Sequence, residues 1–482
     1  MMATVELTVW LRRVGGRTVR HPLPHQSQRA IRALVWADDV ENLHLRVFGH
    51  LLLPTSHVDW RPQLMLETAE PGPVLTAALE TQAGVLDKVD EARMRPYSLR
   101  FDLPEGTETE TCFKLVESSY PGHKVPVCIP HEDFKLDSSG AGVGGSSGRS
   151  HVCESLAPAG GTNASAPALW AVVGPPRHVS SSRRWRSHYG QVAMRTAHFL
   201  SYHTAMGVSG LLLYTDAAAR FYLRKHAALA PYLQSGQLRL ITWDMPERGH
   251  PADEPHRRGG IRSIHGARPL GYNYDQALFA SHALLGLSAC GANLILLVTD
   301  MDEYLHMPSV GQPWPAPLAD CLARTSASRS GQTVTARSLP RIPVLSSQAA
   351  GGQGGGRGSA GAVGSSEALR THPLTLYDQR ASRILMGEHG KMLVMPAAEV
   401  VAFFVHEGVP RHGAVAVVDS HCMALLHVTN FWRPRENGTS PATQHSRFGA
   451  SRSSSAYVPF SWEGSPLAGL MGEAAAAFRR GT

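Results

Sequence analysis

The sequence predicts an α/β fold: a mostly parallel sheet flanked by helices, preceded by a β-sandwich-like domain. Short apolar runs alternate with helix-favouring segments from residue 167 onward, which is typical of repeated βα units around a parallel sheet. The run from Leu294 to Val298 has no polar alternation, as expected for a strand covered on both faces. By contrast, residues 1–137 favour short strands separated by turn residues.

The chain divides by composition into four parts. Residues 1–137 form the predicted β-rich domain, and the Gly- and Ser-rich residues 138–166 are expected to be a flexible linker. Residues 167–436 form the predicted α/β domain, in which 346–368 are poor in core-forming side chains and predict a disordered insertion. Residues 437–482 have the composition of a low-complexity tail.

Within the α/β domain the predicted elements follow in the order of a βα repeat. The expected strands and helices, in chain order, are 169–173, a helix at 190–206, 211–215, a helix at 217–229, 238–243, a helix at 273–289, and 294–298. Three later strands are predicted at 391–395, 400–405 and 423–428.

Charge and cysteine content exclude some classes of function. The net charge of +7 comes from scattered Arg and Lys, which favours a small anionic ligand or proximity to a membrane surface over a nucleic-acid groove. The six cysteines show no metal-ligand spacing, so structural zinc is not expected, while Cys112 and Cys128 are candidates to close a loop. Asn163 and Asn437 begin glycosylation sequons. No apolar run reaches the ~18 residues of a membrane span, so membrane association is expected only through an anchor that the sequence does not show.

The apolar run of residues 293–299 ends at an acidic motif, Asp300-Met301-Asp302-Glu303. The carboxyl ends of parallel strands form the ligand-binding edge of open α/β sheets. Period-two spacing directs Asp300 and Asp302 the same way if the strand persists, so both can face a divalent ion, Mn²⁺ or Mg²⁺, and the diphosphate it carries. The alternative is a solvated turn that caps the next helix.

Further candidates lie at other strand ends. His406 and His427 are placed where a neutral imidazole could complete a metal site, although either one alone is more often structural. Arg383 and Lys391 are candidates to bind a departing diphosphate, or are solvated surface residues.

The second predicted strand ends in Tyr214-Thr215-Asp216. Tyr214 is placed for stacking on a nucleotide base and Asp216 for a ribose hydroxyl. Asp216 is equally well explained as the N-cap of the following helix.

Together these motifs resemble those of the family 92 glycosyltransferases, a GT-A group that includes β-galactosyltransferases and plant galactan synthases. The similarity covers roughly residues 170–432. It rests on five elements: residues 212–216, Tyr274-Asp275-Gln276-Ala277, Asp300-Met301-Asp302-Glu303-Tyr304, Lys391 to Pro396 with His406 after it, and His427. In the last element only the His matches, because Val428 and Thr429 follow it.

The resemblance implies a metal-dependent hexosyltransferase that moves a sugar, galactose in the relatives, from a UDP-sugar to a glycan hydroxyl with inversion. It also implies residence in the Golgi or secretory pathway and a carbohydrate-binding role for residues 1–137. An inverting step needs a carboxylate base, for which Glu407 and Asp419 are open candidates. Glu303 would support the site from behind or from the acceptor side, and His427 is the preferred third metal ligand.

Two other classes compete with this hypothesis. A catalytically inactive carbohydrate-binding or scaffold protein would keep the fold without turnover. A phosphohydrolase would also use an Asp-x-Asp motif, but Tyr304 stands where such enzymes usually have Thr or Val, and the motif follows three earlier βα steps. The phosphohydrolase interpretation is therefore disfavoured.

Overall fold

The computed structural model describes the strands within residues 2–128 and the single residues Cys321, Arg324 and Ile384. It also describes, with short gaps, residues 149–156, 167–176, 185–243, 279–307, 332–345, 372–382, 390–403, 408–428 and 457–460. Within these ranges the chain forms two compact units. The first contains residues 1–135, 245–289 and 399–411. The second contains residues 136–244, 290–398 and 412–482.

The amino-terminal part of the first unit is built of antiparallel strands. They are β1 Met2–Trp10, β2 Gln28–Ala37, β3 His44–Pro54, β4 Leu64–Thr68, β5 Leu75–Thr76, β6 Ala78–Gln82, β7 Asp87–Val89, β8 Ala92–Asp102, β9 Cys112–Glu117 and β10 Lys124–Cys128. One sheet has the order β1-β2-β3-β8-β6, with β7 on β8, and the other has the order β10-β9-β4-β5. Cys112 and Cys128 face each other in the β9–β10 register.

The second unit has a seven-stranded sheet with the order β13-β12-β11-β14-β19-β16-β22. Its strands are β11 Ala168–Val173, β12 Gly210–Thr215, β13 Leu238–Thr242, β14 Leu294–Thr299, β16 Val334–Leu339, β19 Lys391–Val394 and β22 Ala414–Val417. The pairs from β13 to β14 are parallel, and β19 runs antiparallel to β14 and β16. The predicted α/β class with a mostly parallel sheet is confirmed at this level.

A five-stranded sheet in the same unit has the order β15-β23-β17-β18-β24. Its strands are β15 Glu303–His306, β17 Arg341–Leu345, β18 Gln379–Ala381, β23 Ala424–Val428 and β24 Tyr457–Pro459. The remaining strands, β20 Val400–Phe403 and β21 Gly408–Pro410, pair with each other in the first unit.

Helices of the second unit connect and cover the parallel strands. They are α1 Arg149–Leu156, α2 Trp185–Ala205, α3 Ala217–Leu223 and α4 Ala230–Gln234, with 3₁₀ turns at Ala227–Leu229, Ser288–Asn293, Pro373–Leu376 and Pro396–Ala398. Every residue of β11, β12 and β14 is buried, as the unbroken apolar runs predict. None of the described helices is long and apolar enough to cross a membrane.

Two short elements lie where the sequence indicates a linker and a tail. Helix α1 falls within residues 138–166, and it is fixed by the disulfide from Cys153 to Cys290 and by the Trp170 indole, which donates to the carbonyl of Leu156 at 2.9 Å. Strand β24 falls within residues 437–482 and pairs with β18. The predicted insertion at 346–368 lies outside the described residues.

Candidate functional site

The acidic motif forms a turn between two sheets. We call residues Asp300 to Glu303 the acidic turn, because they join the end of β14 to the start of β15. The backbone N–H of Glu303 donates to the carbonyl of Asp300 at 3.0 Å, which closes the turn. The N–H of Val428, the last residue of β23, donates to the carbonyl of Asp302 at 2.8 Å. The turn is therefore held by the backbone at the carboxyl edge of the parallel sheet.

Glu303 lies at the centre of the site and is fully buried. Its Oε2 accepts from the Thr299 hydroxyl and from the backbone N–H of Asp300, both at 2.9 Å. Its Oε1 lies 2.9 Å from Nε of Arg341, with the Glu303 side chain 0% exposed. Complete burial leaves no surface for an acceptor, so of the two predicted roles the geometry favours support of the site from behind.

The pKa of Glu303 is lowered despite its burial. Burial alone raises it, but the cations Lys391 and Arg341 and the hydrogen bonds from Asp300 and Thr299 outweigh that effect. Glu303 is thus a fixed anion whose charge is matched by its neighbours.

Lys391, the first residue of β19, is 1% exposed, and its Nζ lies 2.8 Å from Oδ2 of Asp300 and 3.7 Å from Oε2 of Glu303. The ammonium is therefore a counter-ion of the acidic turn and not a solvated surface charge. This pairing arises because β19 runs antiparallel to β14 and so brings its first residue beside the end of β14. The expected contact of Lys391 with a diphosphate stays a prediction.

Asp302 and His427 lie next to each other in the partly exposed part of the site, which also contains Asp300. Oδ2 of Asp302 lies 3.9 Å from Nε2 of His427, and their side chains are 21% and 18% exposed. His427 stands opposite Glu303 in the antiparallel β15–β23 register, which brings it beside the acidic turn. Burial and the adjacent carboxylates of Asp300 and Glu303 raise the pKa of Asp302 to about 7, against the opposing effect of Arg341 and Lys391.

Asp302 and His427 carry a carboxylate oxygen and an imidazole nitrogen that could hold a divalent ion together with a ligand. In the described part of the chain no group of three or more His, Cys, Asp or Glu side chains has the spacing of a metal site. A protein-only cage is not needed, however, because Mg²⁺-like ions are commonly held by one or two carboxylates together with waters and substrate phosphates. The 3.9 Å between Oδ2 of Asp302 and Nε2 of His427 is longer than a hydrogen bond.

The nucleotide candidates at β12 have structural roles. Tyr214 is fully buried, and its ring meets the ring of Trp243 at a centroid distance of 5.7 Å with an interplanar angle of 77°. Its ring therefore packs in the core, not at a surface open to a base. Oδ1 of Asp216 accepts from the N–H of Ala219 at 2.7 Å and caps α3, as the alternative interpretation predicts.

The four remaining candidates lie either at the surface or outside the described residues. Asp419 is exposed in the turn between β22 and β23, where its Oδ1 accepts from the N–H of His421 at 2.9 Å. Arg383, His406 and Glu407 lie outside the described residues.

Sequence reasoning missed Arg341, which begins β17 and neutralises Glu303. No spacing motif links it to the acidic turn 38 positions earlier along the chain, since the contact arises only because β17 and β15 both flank β23.

Comparison with models of protein families and with curated proteins gives no match to this chain.

Proposed function

We propose that this protein is a metal-dependent glycosyltransferase of the GT-A, family 92 kind. It moves a sugar, galactose by resemblance, from a UDP-sugar to a glycan hydroxyl with inversion. The observation that carries the proposal is the approach of Asp302 and His427 to 3.9 Å at the carboxyl edge of a parallel sheet. This edge is where a nucleotide-sugar and its ion would be expected to bind.

Asp302 and His427 would hold the ion, Mn²⁺ or Mg²⁺, and that ion would supply positive charge to the departing diphosphate. Asp300 contributes negative charge beside them while it is paired with Lys391. Glu303 orients the turn through its bonds to Thr299 and to the backbone of Asp300.

The acceptor hydroxyl must lose a proton as it attacks, so a carboxylate base belongs on the face opposite the diphosphate. Glu407 and Asp419 remain the two candidates for this role. Asp419 is exposed, so an acceptor could reach its carboxylate.

Residence in the Golgi or secretory pathway is part of the same proposal. The disulfides Cys153–Cys290 and Cys321–Cys422 support it, because disulfides persist mainly in oxidising compartments.

The test is calorimetric titration of UDP with and without Mn²⁺, on the wild type, on Asp302→Asn and on Asp419→Asn. We expect binding that requires Mn²⁺, is lost in Asp302→Asn, and is unchanged in Asp419→Asn, which makes the same chemical change at an exposed carboxylate outside the donor set. If the folded wild type does not bind UDP, or binds it equally well with and without Mn²⁺, the proposed donor site is wrong.

One observation favours a second candidate, a carbohydrate-binding or scaffold protein without turnover. The ammonium of Lys391 already neutralises Asp300, which lowers the negative charge available to a metal ion. This candidate predicts glycan binding in the absence of any UDP binding, so the same titration separates the two.

A further inference from the structure

Strand β15, which carries the chain away from the acidic turn, lies at the edge of its sheet. Among the strands that the structure describes, it pairs only with β23, so alternate backbone groups face away from that partner. Leu305 is such a position, two residues after Glu303. Both of its outward backbone groups are bonded by side chains of helix α2.

Tyr202 and His203 make these bonds. The Tyr202 hydroxyl donates to the carbonyl of Leu305 at 2.9 Å, and the N–H of Leu305 donates to Nε2 of His203 at 3.2 Å. Nδ1 of His203 lies 2.8 Å from the carbonyl of Phe199, which can only accept, so Nδ1 carries the proton and Nε2 is an acceptor. We call this pair of bonds the edge clamp.

The same helix surface also holds the side chain of Tyr304, which is fully buried. Its ring lies at centroid distances of 5.3 Å from Tyr202 and 5.6 Å from His203, and the His203 ring stacks on Phe199 at 3.9 Å. Backbone and side chain of the two residues that follow the acidic turn are therefore fixed to one helix. Aromatic contacts of this kind add to the stabilisation from burial.

We infer that Tyr202 and His203 are positioning residues, which order the acidic turn by fixing the free edge of β15 to α2. The effect of this ordering on ligand binding rests on the proposed function. A turn that moves by a few tenths of an ångström misplaces Asp302 relative to His427, because one lies on the turn and the other on β23. The ordering itself does not depend on any ligand.

The test compares Tyr202→Phe with Thr196→Val by hydrogen–deuterium exchange. Tyr202→Phe removes only the hydroxyl of the clamp, and Thr196→Val removes a buried hydroxyl of the same helix that bonds within the helix, to the carbonyl of Val192 at 2.8 Å. His203→Gln is the second clamp variant and removes the fixed imidazole. Exchange is followed in peptides covering residues 299–307 and, as an internal reference, 168–173, well below the unfolding temperature.

We expect about fivefold faster exchange in residues 299–307 for Tyr202→Phe and no change for Thr196→Val, since one buried hydrogen bond is lost from the edge strand. We also expect about tenfold weaker Mn²⁺-dependent binding of UDP in the clamp variants at the same temperature. A purely structural role would lower the unfolding temperature and leave that affinity unchanged, which would overturn the assignment. Equal exchange in Tyr202→Phe and Thr196→Val would overturn it as well. If the wild type does not bind UDP but exchange still accelerates, the proposed function fails and the edge clamp stands.

Discussion

Replacing Glu303 by Gln gives the sharpest test of the charge network behind the acidic turn. An amide oxygen can still accept from Thr299 and from the N–H of Asp300, but its NH₂ group then faces Nε of Arg341, which lies 2.9 Å from Oε1 of the wild-type carboxylate. The neutral amide would also remove the negative charge that balances Arg341 and Lys391. Breaking a buried ion pair in this way costs about 3–5 kcal/mol.

For a unit of this size that loss corresponds to a fall of roughly 10 °C in unfolding temperature. The assay is thermal and urea unfolding followed by circular dichroism, with Glu67→Gln as the matched control. Glu67 pairs with Lys124 at the surface, where the side chains are 26% and 44% exposed. Such a surface pair contributes no more than about 1 kcal/mol.

The pH dependence of the loss gives an independent check. Because the pKa of Glu303 is lowered in the folded protein, its charge contributes stability above the ordinary pKa of 4.5, and that stability is lost as the pH falls through the folded value. The difference in stability between wild type and Glu303→Gln should therefore narrow below pH 4.5. A loss no larger than that of Glu67→Gln, or one that is constant with pH, would refute the reasoning.

Two further predictions follow from buried histidines and from the disulfides. Burial lowers the pKa of His203 from 6.5 to about 4, so the unfolded chain binds a proton at a higher pH than the folded protein does. The free energy of unfolding should therefore fall as the pH drops from 6.5 towards 4, by on the order of 3 kcal/mol from this residue alone. Urea midpoints across this pH range measure the fall, and a midpoint that does not change with pH would contradict a neutral buried imidazole. Peptide mapping without reduction should recover Cys153–Cys290 and Cys321–Cys422, and reduction should lower the stability of the second unit by about 2–5 kcal/mol. Recovery of Cys153 in a pair with any cysteine other than Cys290 would contradict the described packing of α1.

The sequence predicts the parallel core well because that signal is local. The unbroken apolar runs of β11, β12 and β14 need cover on both faces wherever they occur, and all three are buried in the second unit. The position of the acidic turn follows from the end of β14 without any knowledge of its partners.

The partners of that turn could not be predicted in the same way, because they come from distant parts of the chain. Lys391 lies 91 positions from Asp300, and its role as counter-ion depends on β19 running antiparallel beside β14. An isolated Lys at the start of an apolar run has no periodicity that distinguishes a buried counter-ion from a phosphate ligand. Likewise β24 is three residues long, and only its pairing with β18 makes it a strand.

The charges around the acidic turn suggest why it can remain stable without a ligand and still accept one. Among the described residues, Arg341 pairs with Glu303 and Lys391 pairs with Asp300. Asp302 interacts with the charge of the buried Arg195, but burial and the carboxylates of Asp300 and Glu303 outweigh the nearby cations and raise its pKa to about 7. A divalent ion beside Asp302 and His427 would favour the ionised carboxylate and would add positive charge that a diphosphate can balance. Ion and nucleotide are therefore expected to bind more strongly together than either does alone.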